Sequence, residues 1–310
     1  MLYFKDILFG SATAELEGAL YPDLLLDGFL DPWDVIDKII DSPKFLFLGY
    51  KGSGKSSIGE HLRLLSKKKF NLFVSNLFLS DFPYGNFEKI VTGDAEPESR
   101  YPSAWSWLLI LSILNSLSRD ESIYSDSNVM SSINALSEVG LLPTKNLKET
   151  VIASSKPKYK AKLPGLLDIE YDSNQKKIND LGFIRIISSL KESLLSFDKF
   201  DNNHIIIIDG LDDILLQKEI QYQSIAALIL ESTRLNISFI EKDIPIKIVV
   251  LCRTELYERI PGPNKNKIRQ DLSVELDWYH NPRKPSSSKL VHLVNKRAQL
   301  KDSSVKDLLS

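Results

Sequence analysis

An unbroken apolar run, Phe45-Leu46-Phe47-Leu48, passes directly into Gly49-Tyr50-Lys51-Gly52-Ser53-Gly54-Lys55-Ser56, and a stretch with Ile58, Leu62 and Leu65 at helical spacing follows at once. A buried strand, a tight turn and a helix satisfy that junction. Gly49, Gly54, Lys55 and Ser56 fill the pattern G-x-x-x-x-G-K-[ST], and the strand before and helix after supply the context that gives the pattern its meaning. Glycine admits backbone dihedrals closed to other residues, so successive N–H groups and the positive end of the helix can face an anion. In such a loop the lysine bridges the β- and γ-phosphates of a nucleoside triphosphate, and the hydroxyl after it ligates Mg²⁺. The expected phosphate-binding set is Gly49, Tyr50, Lys51, Gly52, Ser53, Gly54, Lys55, Ser56 and Ser57, with Ser56 on the metal. Tyr50 and Lys51 are not dictated by the pattern, and Lys51 either adds charge near the phosphates or is a solvated loop lysine.

The rest of the chain supplies strands and helices in alternation. Apolar spacing predicts helices over 31–40, 55–65, 104–117, 181–197, 221–240 and 289–300, and strands over 45–48, 70–74, 205–208, 246–252 and 273–276. Runs such as Ile205-Ile206-Ile207-Ile208 lack the alternation of a half-exposed strand and read as strands covered on both faces. The expectation is therefore an α/β fold, a mainly parallel sheet sandwiched by helices, with ligands at the carboxyl ends of its strands. Between 118 and 179 periodicity weakens and Ser, Asn, Asp and Lys dominate, which reads as an insertion, partly loop. Trp105 and Trp107, two apart on one apolar helix, cannot share a face, so one is expected in the core and the other at an interface.

The strand 205–208 ends in Asp209-Gly210-Leu211-Asp212-Asp213. A triphosphate site needs a carboxylate at the end of a neighbouring strand to hold Mg²⁺, and often a second one to orient the attacking water. Asp209 takes the first role, and Asp212, or failing it Asp213, the second; both can equally cap the helix that follows. Arg253 ends the next strand, placed either to meet the γ-phosphate or to form a surface salt bridge. The segment from Phe9 to Glu15 either packs against an adenine base or is a surface turn leading into a helix.

Composition narrows the remaining roles. A formal net charge of -2 over 310 residues excludes a globally basic, nucleic-acid-coating surface. The compact run Lys156-Pro157-Lys158-Tyr159-Lys160-Ala161-Lys162 leaves room for local contact with nucleic acid or an acidic partner, or is a solvated loop. Cys252, the single cysteine, can form no internal disulfide and lies in an apolar strand, which fits a reducing cytoplasm. The amino-terminal residues do not read as a signal peptide, and 105–117 is too short and too polar to span a bilayer, so no membrane association is expected. His61, His204, His280 and His292 show no metal-ligand spacing.

IIIIDGLDD, with glycine directly after the first acid, resembles the Walker B motif of NACHT and related STAND P-loop nucleoside triphosphatases. VVLCRTELYERIP, SVELDWY and a helix ending in NKRA resemble the sensor strand, last sheet strand and first lid helix of STAND and AAA-type ATPases. The resemblance implies an ASCE-type P-loop NTPase fold that binds ATP and Mg²⁺. It also implies a switch that controls assembly, as a homo-oligomer or with a separate effector protein, of a class common in bacterial antiphage defence and signalling. The corresponding division is an amino-terminal linker and helix (1–42), a first core part (43–117), an insertion (118–179), a second core part (180–280) and the start of a lid (281–310). Gly210 stands where most AAA-type motors place a glutamate, which implies slow hydrolysis. A DNA-directed AAA-type motor or loader is the alternative, with the lysine run and the Arg259, Lys265, Lys267 and Arg269 cluster as its cations. A small-molecule kinase ranks last, because it does not call for Asp212 and Asp213.

Overall fold

The structure is a computed structural model that describes residues 7–91, 97–156, 162–163, 167, 180–197, 200–211, 219–262, 264–278 and 288–301. Its centre is a five-stranded sheet: β1 (Leu46–Gly49), β2 (Leu72–Phe78), β3 (Asn203–Asp209), β4 (Ile246–Arg253) and β5 (Ser273–Glu275), in the order β2-β3-β4-β1-β5. Every pairing is parallel. The described helices are α1 (Ala14–Leu20), α2 (Pro22–Asp27), α3 (Val35–Asp41), α4 (Lys55–Ser66), α5 (Tyr84–Phe87), α6 (Pro97–Leu117), α7 (Ser127–Glu138), α8 (Leu147–Ser154), α9 (Asp180–Leu195), α10 (Glu219–Glu241), α11 (Thr254–Arg259), α12 (Lys265–Leu272) and α13 (Lys289–Lys301).

Side chains of the central strands divide between two cores, as the two-residue period of a strand requires. Leu46, Leu48, Ile206, Ile208, Ile248 and Val250 face one layer together with α6, α9 and α10. Phe47, Ile205, Ile207, Val249 and Leu251 face the other, where Val35 and Ile39 of α3 and Ile58 and Leu62 of α4 close over them. Register brings Gly49 opposite Arg253, and Phe78 opposite Asp209, so the strands end together along one edge. The chain leaves β1 through α4 for the far edge strand β2, while β4 and β5 flank β1. Such a reversal opens a crevice at the carboxyl ends of the strands.

Several expectations are corrected by packing. Helix α3 begins at Val35 rather than at Asp31, because Asp34 takes a left-handed backbone (φ 53°). Asp31 instead accepts hydrogen bonds from Val35 N at 2.8 Å and Ile36 N at 3.0 Å. Strand β2 starts at Leu72 and reaches Phe78, leaving Phe70 outside and exposed. Both tryptophans are core residues: Trp105 is 1% exposed and Trp107 wholly covered. Helix α6 touches α7, α9, α10, β2 and β3 and so has no open face. Each indole N–H finds a hydroxyl, Trp105 on Ser224 at 3.0 Å and Trp107 on Ser154 at 2.9 Å. Truncating either ring to alanine would cost about 3–5 kcal/mol.

The segment from 118 to 156 is an interruption of the sequence pattern only. A 3₁₀ turn (Glu121–Ser125), α7 and α8 give Ile123, Val129, Leu136, Leu147 and Val151 to the same core as the sheet. Sparse but well-placed apolar residues, with caps from Asp126 and Asn146, were enough to build these helices. His204, at the start of β3, ties the segment down. Its Nε2 meets Asp120 Oδ2 at 3.1 Å and its Nδ1 meets Ser116 Oγ at 3.0 Å, while Phe73 stacks on its ring. Ser116, His204 and Asp120 are buried, so this serine, histidine and aspartate form a structural staple that no substrate can enter. Among the described residues, no helix is long and apolar enough to cross a membrane.

Candidate functional site

Where β1 ends, the chain turns on glycines for two different reasons. At Gly49 a Cβ would collide with Ser53 Oγ and crowd Leu276, so the constraint is space. At Gly52 (φ 84°) and Gly54 (φ 83°) nothing lies nearby, and the constraint is the left-handed backbone itself. Ser53 N donates to Tyr50 O at 3.1 Å, and the Trp278 indole N–H donates to Ser53 O at 3.0 Å, which pins the loop from the far side of β5. Helix α4 then opens with Ile58 N bonded to Gly54 O at 3.2 Å. The Lys55 ammonium folds back on the loop's own carbonyls, Gly49 O at 2.8 Å and Tyr50 O at 3.0 Å.

Asp209 closes β3 on the same edge, and its position departs from expectation. The acidic strand does not adjoin β1, because β4 lies between them and brings Arg253 into the gap. The Asp209 carboxylate accepts from Gly210 N at 2.7 Å, and the Ser56 hydroxyl lies nearby. Burial pushes this carboxyl above its usual range; the neighbouring Ser56 hydroxyl and the Gly210 N–H oppose the rise, the Glu15 charge adds to it and Lys55 opposes it. Gly210 has φ 79°, which turns the chain sharply away from the strand end.

These groups share one cleft of about 440 Å³. Lys51, Gly52, Ser53, Gly54, Lys55, Ser56, Ser57, Asp209 and Arg253 line it, together with Ser11 to Glu15 and Glu17 of the amino-terminal segment. Gly49 and Tyr50 take part through the carbonyls that hold Lys55, and the Tyr50 ring is exposed. Asp212 and Asp213 lie outside the described residues, as do 157–161 of the lysine run, while Lys156 and Lys162 are exposed. In the other cationic cluster, Arg269 is engaged by Glu275 and Glu258, and Lys265 donates to Glu258 O, so these charges serve local structure.

Beside the cleft lies a second hollow of about 230 Å³, walled by Phe9, Phe29, Trp33, Trp278, Leu290 and Leu293, with Gly52, Ser53 and Gly54 common to both. Trp33 and Trp278 meet edge to face at 5.0 Å, and the Lys289 ammonium sits 4.9 Å from the Trp33 ring centre. Of its lining, sequence reasoning had singled out only the segment from Phe9 to Glu15, which gives Phe9 and Ser11; Phe29, Trp33, Trp278 and the side chains of α13 carried no such signal. Nor did spacing suggest the buried ion pair at its rim, Arg297 Nη2 on Glu17 Oε1 at 2.6 Å, between residues that stand 280 positions apart. Thr13 capping α1 and Pro22 opening α2 were the local signs that the amino-terminal segment is built rather than a linker.

Compared with protein-family models, with curated proteins and with solved structures, the chain matches none. The site therefore rests on its own chemistry. It offers a glycine-rich loop at a helix start, a lysine ammonium held on that loop's carbonyls, a serine hydroxyl near a half-buried carboxylate and an arginine, with an aromatic hollow alongside. Among the described residues no group of three or more His, Cys, Asp or Glu side chains could hold a metal ion unaided.

Proposed function

We propose that the chain is a P-loop nucleoside triphosphatase of the ASCE type, similar to STAND and NACHT ATPases. In this reading it binds ATP with Mg²⁺ and hydrolyses it slowly, as a switch for assembly with itself or with a separate effector protein. The observation that carries this reading is the convergence of loop 49–56, Asp209 and Arg253 on a single cleft. The interposed β4 supports the ASCE form, since it leaves the width of one strand between the phosphate loop and the carboxylate for a third polar group and a water.

The residues fit the ligands on chemical grounds. An ammonium that now rests on two carbonyls of its own loop exchanges them for phosphate oxygens without moving the backbone. The loop N–H groups and the positive end of α4 hold the remaining phosphate charge. Ser56 and Asp209, which line the same cleft, would hold Mg²⁺ as the protein's two ligands, and the nucleotide's own oxygens would complete what two side chains cannot. Bound Mg²⁺ neutralises charge on the transferring phosphoryl group. Arg253 approaches that group from the end of β4. Asp212 or Asp213 remains the proposed water-orienting carboxylate, and Glu15 is a further carboxylate lining the cleft. The aromatic hollow takes the base, a flat apolar body that suits Trp33 and Trp278.

Asp209→Asn tests the arrangement. Thermal stabilisation by ATP should depend on Mg²⁺ in the wild type, and the variant should lose that dependence together with phosphate release. An equal response to ATP in both proteins, with or without Mg²⁺, would remove Asp209 from the site. The switch reading requires the hydrolysis rate per subunit to rise with protein concentration or with an added partner.

A further inference from the structure

The first turn of α1 carries two acids, Glu15 and Glu17, and their surroundings differ. Glu17 is committed to structure: its carboxylate accepts from both terminal nitrogens of Arg297 and from Ser11 N at 3.0 Å, and its side chain is 8% exposed. A Cβ on Gly10 (φ 131°) would overlap this joint, so the segment lies close against it. Thr13 Oγ1 accepts from Leu16 N at 3.2 Å and fixes where the helix begins. Glu15 is thus carried on a braced turn, yet it is exposed, and among the described residues it has no hydrogen bond or ion pair. It lines the phosphate cleft with Lys55, Ser56, Asp209 and Arg253. Burial raises the Asp209 carboxyl and the Glu15 charge raises it further, so the two carboxylates repel each other across the cleft.

Carboxylates that face each other in this way are relieved by a cation. Mg²⁺ parts with its waters reluctantly, and a site that supplies one or two side chains and some phosphate oxygens leaves several waters on the ion. Those waters donate hydrogen bonds, and an ionised carboxylate only accepts them. Resting on the nucleotide reading above, we propose that Glu15 is a positioning residue for the hydrated Mg²⁺ of the bound nucleotide, accepting hydrogen bonds from the ion's waters while Ser56 and Asp209 hold the ion itself. The same charge repels a triphosphate that arrives without metal. Helix α1 therefore makes the cleft select the metal-complexed nucleotide, and it does so from a segment outside both the glycine-rich loop and the strand ends.

Glu15→Gln keeps the length of the side chain and removes its charge. In the full chain, the variant should bind ATP in excess EDTA about fivefold more tightly than the wild type, and at saturating ATP it should need about fivefold more Mg²⁺ for half-maximal thermal stabilisation, the scale of one exposed charge pair in each case. Asp23→Asn removes the same charge from α2, outside the cleft, where that side chain is 85% exposed, and should shift neither titration. Because Glu15 is exposed, the free variant should melt with the wild type. Opposite shifts in the two titrations are what a charge acting on the metal produces, and a merely structural residue would move both the same way. Weakening of both, or no change in either, would overturn the proposal, as would the same pair of shifts in Asp23→Asn. ATP binding that ignores Glu15→Gln sinks this proposal alone, whereas a wild type that binds ATP neither with Mg²⁺ nor without it sinks the nucleotide reading and this proposal with it.

Discussion

Strand β3 carries a polar group near each end, His204 fully buried and Asp209 half-buried, and the two have opposite fates. At its start His204 is fully enclosed, and both ring nitrogens are satisfied, by Asp120 and by Ser116. Asp120 is held in turn by Asn202 and Ser122; burial pushes its carboxyl up, but those hydrogen bonds bring it below its usual range. At the end of β3, Asp209 opens on a cleft where Lys55 donates to the carbonyls of Gly49 and Tyr50. Beside it, Ser53 Oγ and Arg297 Nε, in residues that line the aromatic hollow, have no hydrogen-bond partner among the described residues. A polar cluster that closes its own hydrogen bonds stabilises a fold, and one that leaves them open is shaped for something else.

The largest effect expected from this contrast is on stability in acid. Burial holds His204 at about 4, well below its ordinary value of 6.5, although Asp120 pulls it upward. Proton uptake therefore favours the unfolded chain. The contribution of the neutral ring is complete above about pH 6.5 and is lost as pH falls toward about 4, on the order of 3 kcal/mol in all. Urea unfolding across that range should show the loss, and His204→Gln, which can make both bonds but takes up no proton, should flatten it. A wild-type profile flat from pH 7 to 4.5 would mean that the ring reaches water.

Next in size is the loss of ligand stabilisation. ATP at about a hundred times its dissociation constant should add roughly 2.7 kcal/mol to the wild type. Lys55→Ala should abolish that gain while leaving the melting temperature of the free protein unchanged, because the side chain sits over a loop and not in a core. An undiminished gain in the variant would place ATP elsewhere.

Smaller, and opposite in kind, is Asp120→Ala. It strands His204 and Asn202 and should cost about 1–3 kcal/mol of stability. The stabilisation by ATP should survive in full, and a variant that kept its stability but lost ATP would reverse the roles given to the two ends of β3. A related check is removal of 118–179. Reading that stretch as an insertion implied that the core would tolerate its loss, but Asp120 and the apolar faces of α7 and α8 now argue that the chain would not fold.

By itself the sequence determined the loop, its flanking strand and helix, and the acid at the end of β3. A glycine-rich turn between a strand and a helix is built from consecutive residues, so its pattern is legible in the sequence alone. The strands buried on both faces were legible for the same reason, since an isoleucine run needs no partner to declare itself. Only the tertiary structure decided that β4 stands between β1 and β3, because strand order is settled by which pairings the crossovers permit. It alone brought Arg297 onto Glu17, closed the aromatic hollow and buried both Trp105 and Trp107. Each of these joins residues far apart in the chain, and no local spacing encodes the direction in which two distant segments meet.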